Sequence, residues 1–206
     1  NVWEYFFEPA SRLRCTRYDV IDRQTSSVSP CLINPGNIMP TQERRMRAYE
    51  LISKYMPLKP LVRSIIDDFW YNNKVRGTII GIHLRGTDKI QEVRPVDPQK
   101  VFDAANAYAA SCQDSVTFLV ASDECKLVDM AKKRLHGPVI SYDAHRSTDG
   151  RPIHLSKPDS PALVGLDILV EALLLSSCSI FFHTMSNVAK GVLMFNPNLE
   201  HVCLVA

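Results

Sequence analysis

The chain has 206 residues, of which 46% are apolar and 22% charged, with a formal net charge of +2. That length suits one large domain, or one domain plus part of another, and the composition excludes disordered and collagen-like classes. The small net charge argues against bulk binding to nucleic acid or to a membrane surface, and no uninterrupted apolar run is long enough for a membrane span.

The chain starts at Asn1 rather than Met, and "NVWEYFFEPASRLR" lacks a signal-peptide pattern, which implies an upstream segment. Residues 1 to about 40 carry turn signals ("SSVSPCLINPGNIMP") and read as an irregular remnant of, or link to, a preceding domain. Thr41 reads as an N-cap. Met46, Tyr49, Ile52, Tyr55 and Met56 then recur at helical spacing, with Arg44, Arg45 and Arg47 as a solvated face. A second helix carries the apolar stripe Leu61, Val62, Ile65, Ile66, Phe69 and Trp70.

From residue 76 strands and helices alternate. "TIIGIHL" is a strand. Asp97 and Pro98 open a helix that turns Val101, Phe102, Ala105, Tyr108 and Ala109 inward. "SVTFLVAS" is a strand, followed by a helix from about Glu124 to Leu135 and a short strand "VIS". A polar loop over 142–160 precedes a long helix from about Pro161 to Ser177. "SIFFHT", "SNVAKGVLMF" and "HVCLVA" complete the chain as strand, helix and strand. Apolar strands alternating with helices predict an α/β fold, a Rossmann-like parallel sheet covered on both faces.

The six cysteines are dispersed, with no CxxC and no zinc-finger spacing. Free thiols fit them best, and a Cys15–Cys31 disulfide fits only an oxidising compartment. No N-x-S/T sequon occurs.

The stretch "TIIGIHLRGTDK" (78–89) begins as a buried strand and ends in His83, Arg85, Asp88 and Lys89. In an open α/β sheet, ligands bind beyond the carboxyl ends of the strands, so this is where a functional cluster belongs. Gly86 permits close backbone approach, and Arg85 offers a planar fork of donors suited to phosphate. A lone Arg there would read as a solvated residue or a partner of Asp88; the whole cluster reads as a site. Other strand ends add Ser122, Asp123 and Glu124, then His183 and Thr184, with Ser186 and Asn187 opening the next helix. That helix start is both an ordinary N-cap and an anion site.

Asp167 and Glu171 lie four residues apart on an otherwise apolar helix. Two such carboxylates repel each other and need partners. A guanine base, with N1–H and a 2-amino group, would suit one of them; protein cations or exposure at the helix edge are the alternatives. There is no Walker motif, no GxGxxG after a strand, no DxD and no GxSxG. Without the usual metal-ligand pair, a diphosphate leaving group is to be neutralised by Arg, Lys and backbone donors.

"IIGIHLRGTDK" resembles the HxR(G/R)TDK motif of inverting GDP-fucose fucosyltransferases: the N-glycan core and bacterial nodulation enzymes and, more distantly, the protein O-fucosyltransferases. "GLDILVEALLLSSCSIFFHTMSNVAKGVLMFNPN" is similar to that family's second signature, and "WEYFFEP" to a segment upstream of its sugar-nucleotide domain. The resemblance covers most of 41–198 and is dense at 79–89 and 166–198.

It implies the C-terminal, donor-binding half of a GT-B glycosyltransferase over 76–206, with 1–75 as a remnant of the N-terminal domain and linking helices. The implied activity is metal-independent, inverting transfer of fucose from GDP-fucose to a glycan or protein hydroxyl, with no cofactor and no nucleic acid. By the resemblance, Arg85 contacts the β-phosphate and His83 lies beside the nucleotide. Glu171 stands at the guanine-binding acid, with Asp167 near it. Thr184, Ser186 and Asn187 lie at the phosphate-binding helix start, and Asp123 near the ribose and acceptor. The core-fucosylating members place a catalytic Glu where this chain has Val93; Glu92 is one residue early. The candidates for the general base are therefore Lys89, Glu92 or an acid from outside the chain. Two alternatives stand beside this reading: a non-catalytic GDP-sugar or glycan-binding domain, and transfer from another nucleotide sugar. The compartment would be the Golgi or endoplasmic reticulum lumen in a eukaryote and the cytoplasm in a bacterium.

Overall fold

The computed structural model describes residues 6–8, 39–86, 96–151 and 160–205. Cys15, Cys31, Asp88, Lys89, Glu92 and Val93 lie outside the described residues.

In chain order the elements are α1 (Gln42–Tyr55), α2 (Pro60–Asn73), β1 (Thr78–Leu84), α3 (Pro98–Ser111), β2 (Val116–Ser122), α4 (Cys125–Arg134), β3 (Val139–Ile140), α5 (Pro161–Ser176), β4 (Ile180–Thr184), α6 (Asn187–Phe195) and β5 (Glu200–Leu204). The five strands form one sheet in the order β3-β2-β1-β4-β5, and every pairing is parallel. This is the α/β, Rossmann-like arrangement that the alternation of elements predicts. Helix starts follow local chemistry. Thr41, Asp97, Ser160 and Ser186 each accept a backbone N–H with the side chain, and Pro occupies the first turn of α2, α3 and α5.

β1 lies at the centre and is buried along most of its length. Its period of two divides its side chains between two cores. Ile80, Ile82 and Leu84 join Phe118, Val120, Ile180 and Phe182 under α3 and α4. On the other face Leu119, Ala121 and Phe181 meet Phe69 of α2, Val170, Leu174 and Leu175 of α5, and Val192 and Leu193 of α6. Gly81 faces this second layer. A Cβ there would stand 2.9 Å from Cys178 Sγ and 3.1 Å from Leu175, so the end of α5 can press on the sheet only over glycine.

Phe6 and Phe7 pack with Val62 of α2, and Leu166, Leu169 and Leu173 of α5 lie against them. Phe7 bridges to Leu58 in antiparallel fashion.

The helix expected after Thr41 is α1, although no residue of it is buried, and Met46, Tyr49 and Tyr55 are 39–44% exposed. Helical periodicity reports an apolar face but not what covers it. Arg45, expected in solvent, is instead partly buried; burial lowers its pKa, and its Nε has no hydrogen-bond partner among the described residues. Arg47 does lie in solvent, paired with Glu50 at 2.9 Å.

Candidate active site

The helix after β1, α3, covers one face of the sheet, and the helix after β4, α6, covers the other. The two strands are neighbours, with His83 in register with His183. The chain therefore departs in opposite directions at adjacent strand ends, and a crevice opens between them. This is the topological switch point, where open α/β sheets hold ligands.

A cleft enclosing about 140 Å³ occupies that point. By the same measure a single water needs on the order of 10–15 Å³, so the space admits a group as large as a phosphate or a ring. His83 and Arg85 from the end of β1 line it, with Ser122 and Asp123 from the end of β2. Asp167 and Glu171 of α5 line it as well, with Val164, Ile168 and, from α6, Val188 as the apolar lining. Ala144 and His145, from the loop after β3, complete it.

The polar end of β1 is a property of its register. Odd-numbered positions face the second core, and past Gly81 that layer gives way to the cleft. His83, 5% exposed, therefore projects where Phe or Leu would stand lower in the sheet. Its Nδ1 lies 3.3 Å from Ser186 Oγ, which accepts the Ala189 N–H at 2.9 Å. The Ser186 hydroxyl is thus committed as N-cap and as a link between β1 and α6.

Arg85 Nε stands 3.9 Å from Asp123 Oδ2, a long separation for an ion pair, and its side chain is 28% exposed at the cleft. Asp123 also accepts the Gly86 N–H through Oδ1 at 2.8 Å, which fixes the turn after Arg85.

The two carboxylates of α5 are partnered by the loop after β3. Asp167 Oδ2 accepts the His145 N–H at 2.9 Å and lies 2.6 Å from His145 Nδ1. Glu171 Oε1 accepts from Arg146 Nη2, whose guanidinium also donates to the carbonyls of Tyr142 and Ala144 at 2.9 Å. Of the fates that the sequence left open for this pair, the structure shows protein partners for one carboxyl oxygen of each: His145 for Asp167 and the Arg146 cation for Glu171. Both residues still line the cleft. His145 and Arg146 were not singled out in the sequence. The available signal was the need itself: two acids on an apolar helix face need partners, and "DAHRST" is the polar stretch that the topology returns to the same lip.

Burial raises the Glu171 carboxyl to about 8; Arg146 opposes the rise, while Asp167 and Asp123 add to it. The unfolded chain holds this proton only below about 4.5, so between 4.5 and 8 the folded state binds more protons at this site. The resulting contribution to stability is fully present below 4.5 and disappears as pH rises through 8. Denaturant unfolding at pH 5 and pH 8 should therefore show the wild type losing stability relative to Glu171→Gln as pH rises. Parallel pH dependences would assign Glu171 an ordinary carboxyl.

His183 is fully buried and does not line the cleft. Its Nδ1 faces the Thr184 carbonyl at 3.1 Å and must carry the proton, so its Nε2 accepts from His201 Nδ1 at 3.1 Å. Burial lowers its pKa to about 3, which makes it a neutral ring stacked between Phe181 and His201. Thr184 and Asn187, at the end of β4 and the start of α6, lie beside the cleft rather than in its lining, as does buried Ser186.

Solved structures share this architecture. The alpha-1,6-fucosyltransferase NodZ co-crystallised with GDP superposes with a TM-score of 0.55 at 16% identity, over 97% of this chain and 76% of that one. NodZ from Bradyrhizobium gives 0.52 at 15% identity over the same shares. POFUT1 in complex with GDP-fucose gives 0.54 at 10% identity, over 74% of this chain and 48% of that one. The chain has the fold of the GT-B fucosyltransferases. No family model and no curated sequence matches it. Within this fucosyltransferase fold, no helix of the described residues is long and apolar enough to cross a membrane.

Proposed function

We propose that the cleft binds GDP-fucose and that the protein transfers fucose, with inversion and without a metal, to a hydroxyl of a glycan or protein. One observation carries the reading. One cleft is lined both by the Arg85 guanidinium, which suits a diphosphate, and by the Asp167 and Glu171 carboxyls, which suit the N–H edge of guanine. The fold supports it, since NodZ was solved with GDP and soaked with GDP-fucose, and POFUT1 with GDP-fucose.

In this reading the acceptor oxygen attacks the anomeric carbon from the face opposite the diphosphate. The bond from that carbon to the β-phosphate oxygen breaks, and its electron pair leaves with GDP. Charge grows on the diphosphate, and Arg85 with the open N–H groups at the start of α6 stabilises it; such preorganised donors are commonly the largest single catalytic contribution. Asp123 orients Arg85 and the Gly86 turn. Lys89 and Glu92 of the same stretch remain candidates for further charge neutralisation and proton removal.

The test is GDP release from GDP-fucose in the presence of glycan and peptide acceptors. Acceptor-stimulated release supports transfer. The position of Val93 favours a second reading, a GDP-sugar-binding domain without catalysis, for which binding without release is the signature. Release from a different nucleotide sugar would change the donor while keeping the class.

A further inference from the structure

Glu124, the residue before α4, has a carboxylate that the site described above does not use. It rests on the main chain of Gly86: a Cβ on that glycine would stand 2.6 Å from Glu124 Cδ and 2.8 Å from each carboxylate oxygen. Glycine in the position after Arg85 is therefore what lets this acid reach the lip of the sheet. The backbone around Glu124 is pinned on all sides. Its N–H donates to Ser122 Oγ at 3.2 Å. Cys125 N–H donates to the Ser147 carbonyl at 3.0 Å, and Ser147 N–H to the Asp123 carbonyl at 2.8 Å. Asp123, the preceding residue, holds the Gly86 N–H. Yet no hydrogen-bond donor and no ion-pair partner reaches the Glu124 carboxylate among the described residues. A half-buried acid held in place but left without a partner is poised to receive a proton.

We propose that Glu124 is the general base of the transfer reaction, in place of the acid that Val93 lacks; the assignment rests on the donor-site reading above. The carboxylate takes the acceptor hydroxyl proton as the oxygen bonds to the anomeric carbon. The bond to the β-phosphate oxygen breaks, its electron pair stays with the diphosphate beside Arg85, and Glu124 then returns the proton to solvent. The electrostatic setting suits that task. Burial, then the charge of Asp123, raise the Glu124 carboxyl above the usual range, and Lys126 of α4 opposes them. Arg85 lies on the adjoining turn, and Asp149 and Arg151 flank Gly150, whose Cβ would lie 3.8 Å from Glu124 Oε1. A base with a raised pKa works nearer neutral pH.

The experiment uses water as acceptor, so no glycan need be known. GDP release from GDP-fucose is measured against pH for the wild type, Glu124→Gln, Glu124→Ala and Glu92→Gln, with calorimetric GDP binding alongside. General-base loss should lower release by about 10²–10⁴-fold in Glu124→Gln and abolish the acid limb of the profile. GDP affinity should stay within about twofold, because Glu124 does not line the cleft. Azide, a nucleophile with no proton to lose, should restore release in Glu124→Ala. Release by Glu124→Gln within threefold of wild type, or an acid limb that survives it, overturns the assignment, as does a limb that disappears in Glu92→Gln instead. A wild type that binds GDP-fucose but releases no GDP, even with azide, also overturns it. A wild type that does not bind GDP contradicts the donor-site reading itself.

Discussion

Replacing Arg85 by Ala should weaken GDP binding by roughly 10- to 100-fold, the equivalent of the ~1.5–3 kcal/mol of a hydrogen bond to a charged group. Turnover of GDP-fucose should fall further, by about 10²–10³-fold, because the diphosphate gains charge as the bond breaks and the guanidinium is aimed at it. The side chain is 28% exposed, and Asp123 keeps the Gly86 N–H in the variant, so the turn after β1 retains that anchor. Arg85→Lys should fall between the two, since it retains the charge and loses the fork. Calorimetry with GDP and a GDP-release assay, alongside a melting curve, check all three statements. Near-normal turnover in a folded Arg85→Ala protein would remove the diphosphate from this end of the cleft.

The second large effect is on folding. Arg146 is 7% exposed in its side chain, and its guanidinium joins Glu171 of α5 to the carbonyls of Tyr142 and Ala144. Arg146→Met would leave a buried carboxylate and two carbonyls without that donor, a change that typically costs about 3–5 kcal/mol. Protonation of Glu171 softens the loss, so the effect should be larger at pH 8 than at pH 5. Adding Glu171→Leu to Arg146→Met should recover much of the stability, because a buried ion pair is often replaceable by packed apolar groups. Urea unfolding of the two single variants and the double variant measures the coupling. Additive losses would mean that the two residues act independently. Because Ala144 and His145 line the cleft, Arg146→Met should also weaken GDP binding even where the protein remains folded.

Much of the fold was legible because local chemistry and tertiary packing agree. Asp97–Pro98 and Ser186 mark helix starts, and the alternation from β1 to β5 dictates a parallel sheet. The place of the site at the strand ends followed from the polar end of β1, where a cluster of His and charged residues closes an apolar run. The α1 helix was legible from its spacing, whereas the exposure of its apolar stripe was not, because periodicity carries no information about the facing surface. The pairing of α5 was not legible either. His145 and Asp167 are 22 residues apart, and Arg146 and Glu171 are 25. No spacing rule relates a loop to a helix at that separation; only the return of the chain to the same lip does. Glu124 was visible as a polar strand-end residue, but its contact with Gly86 depends on the approach of β1 and β2, which sequence periodicity does not specify.

The most direct measurement of the central claim is a calorimetric titration of the wild-type protein with GDP, UDP and ADP at one salt concentration. A cleft lined by Arg85 and by the Asp167–Glu171 acids predicts one GDP per chain and affinities for UDP and ADP at least tenfold weaker. Equal binding of the three nucleotides, or none by GDP, would contradict it.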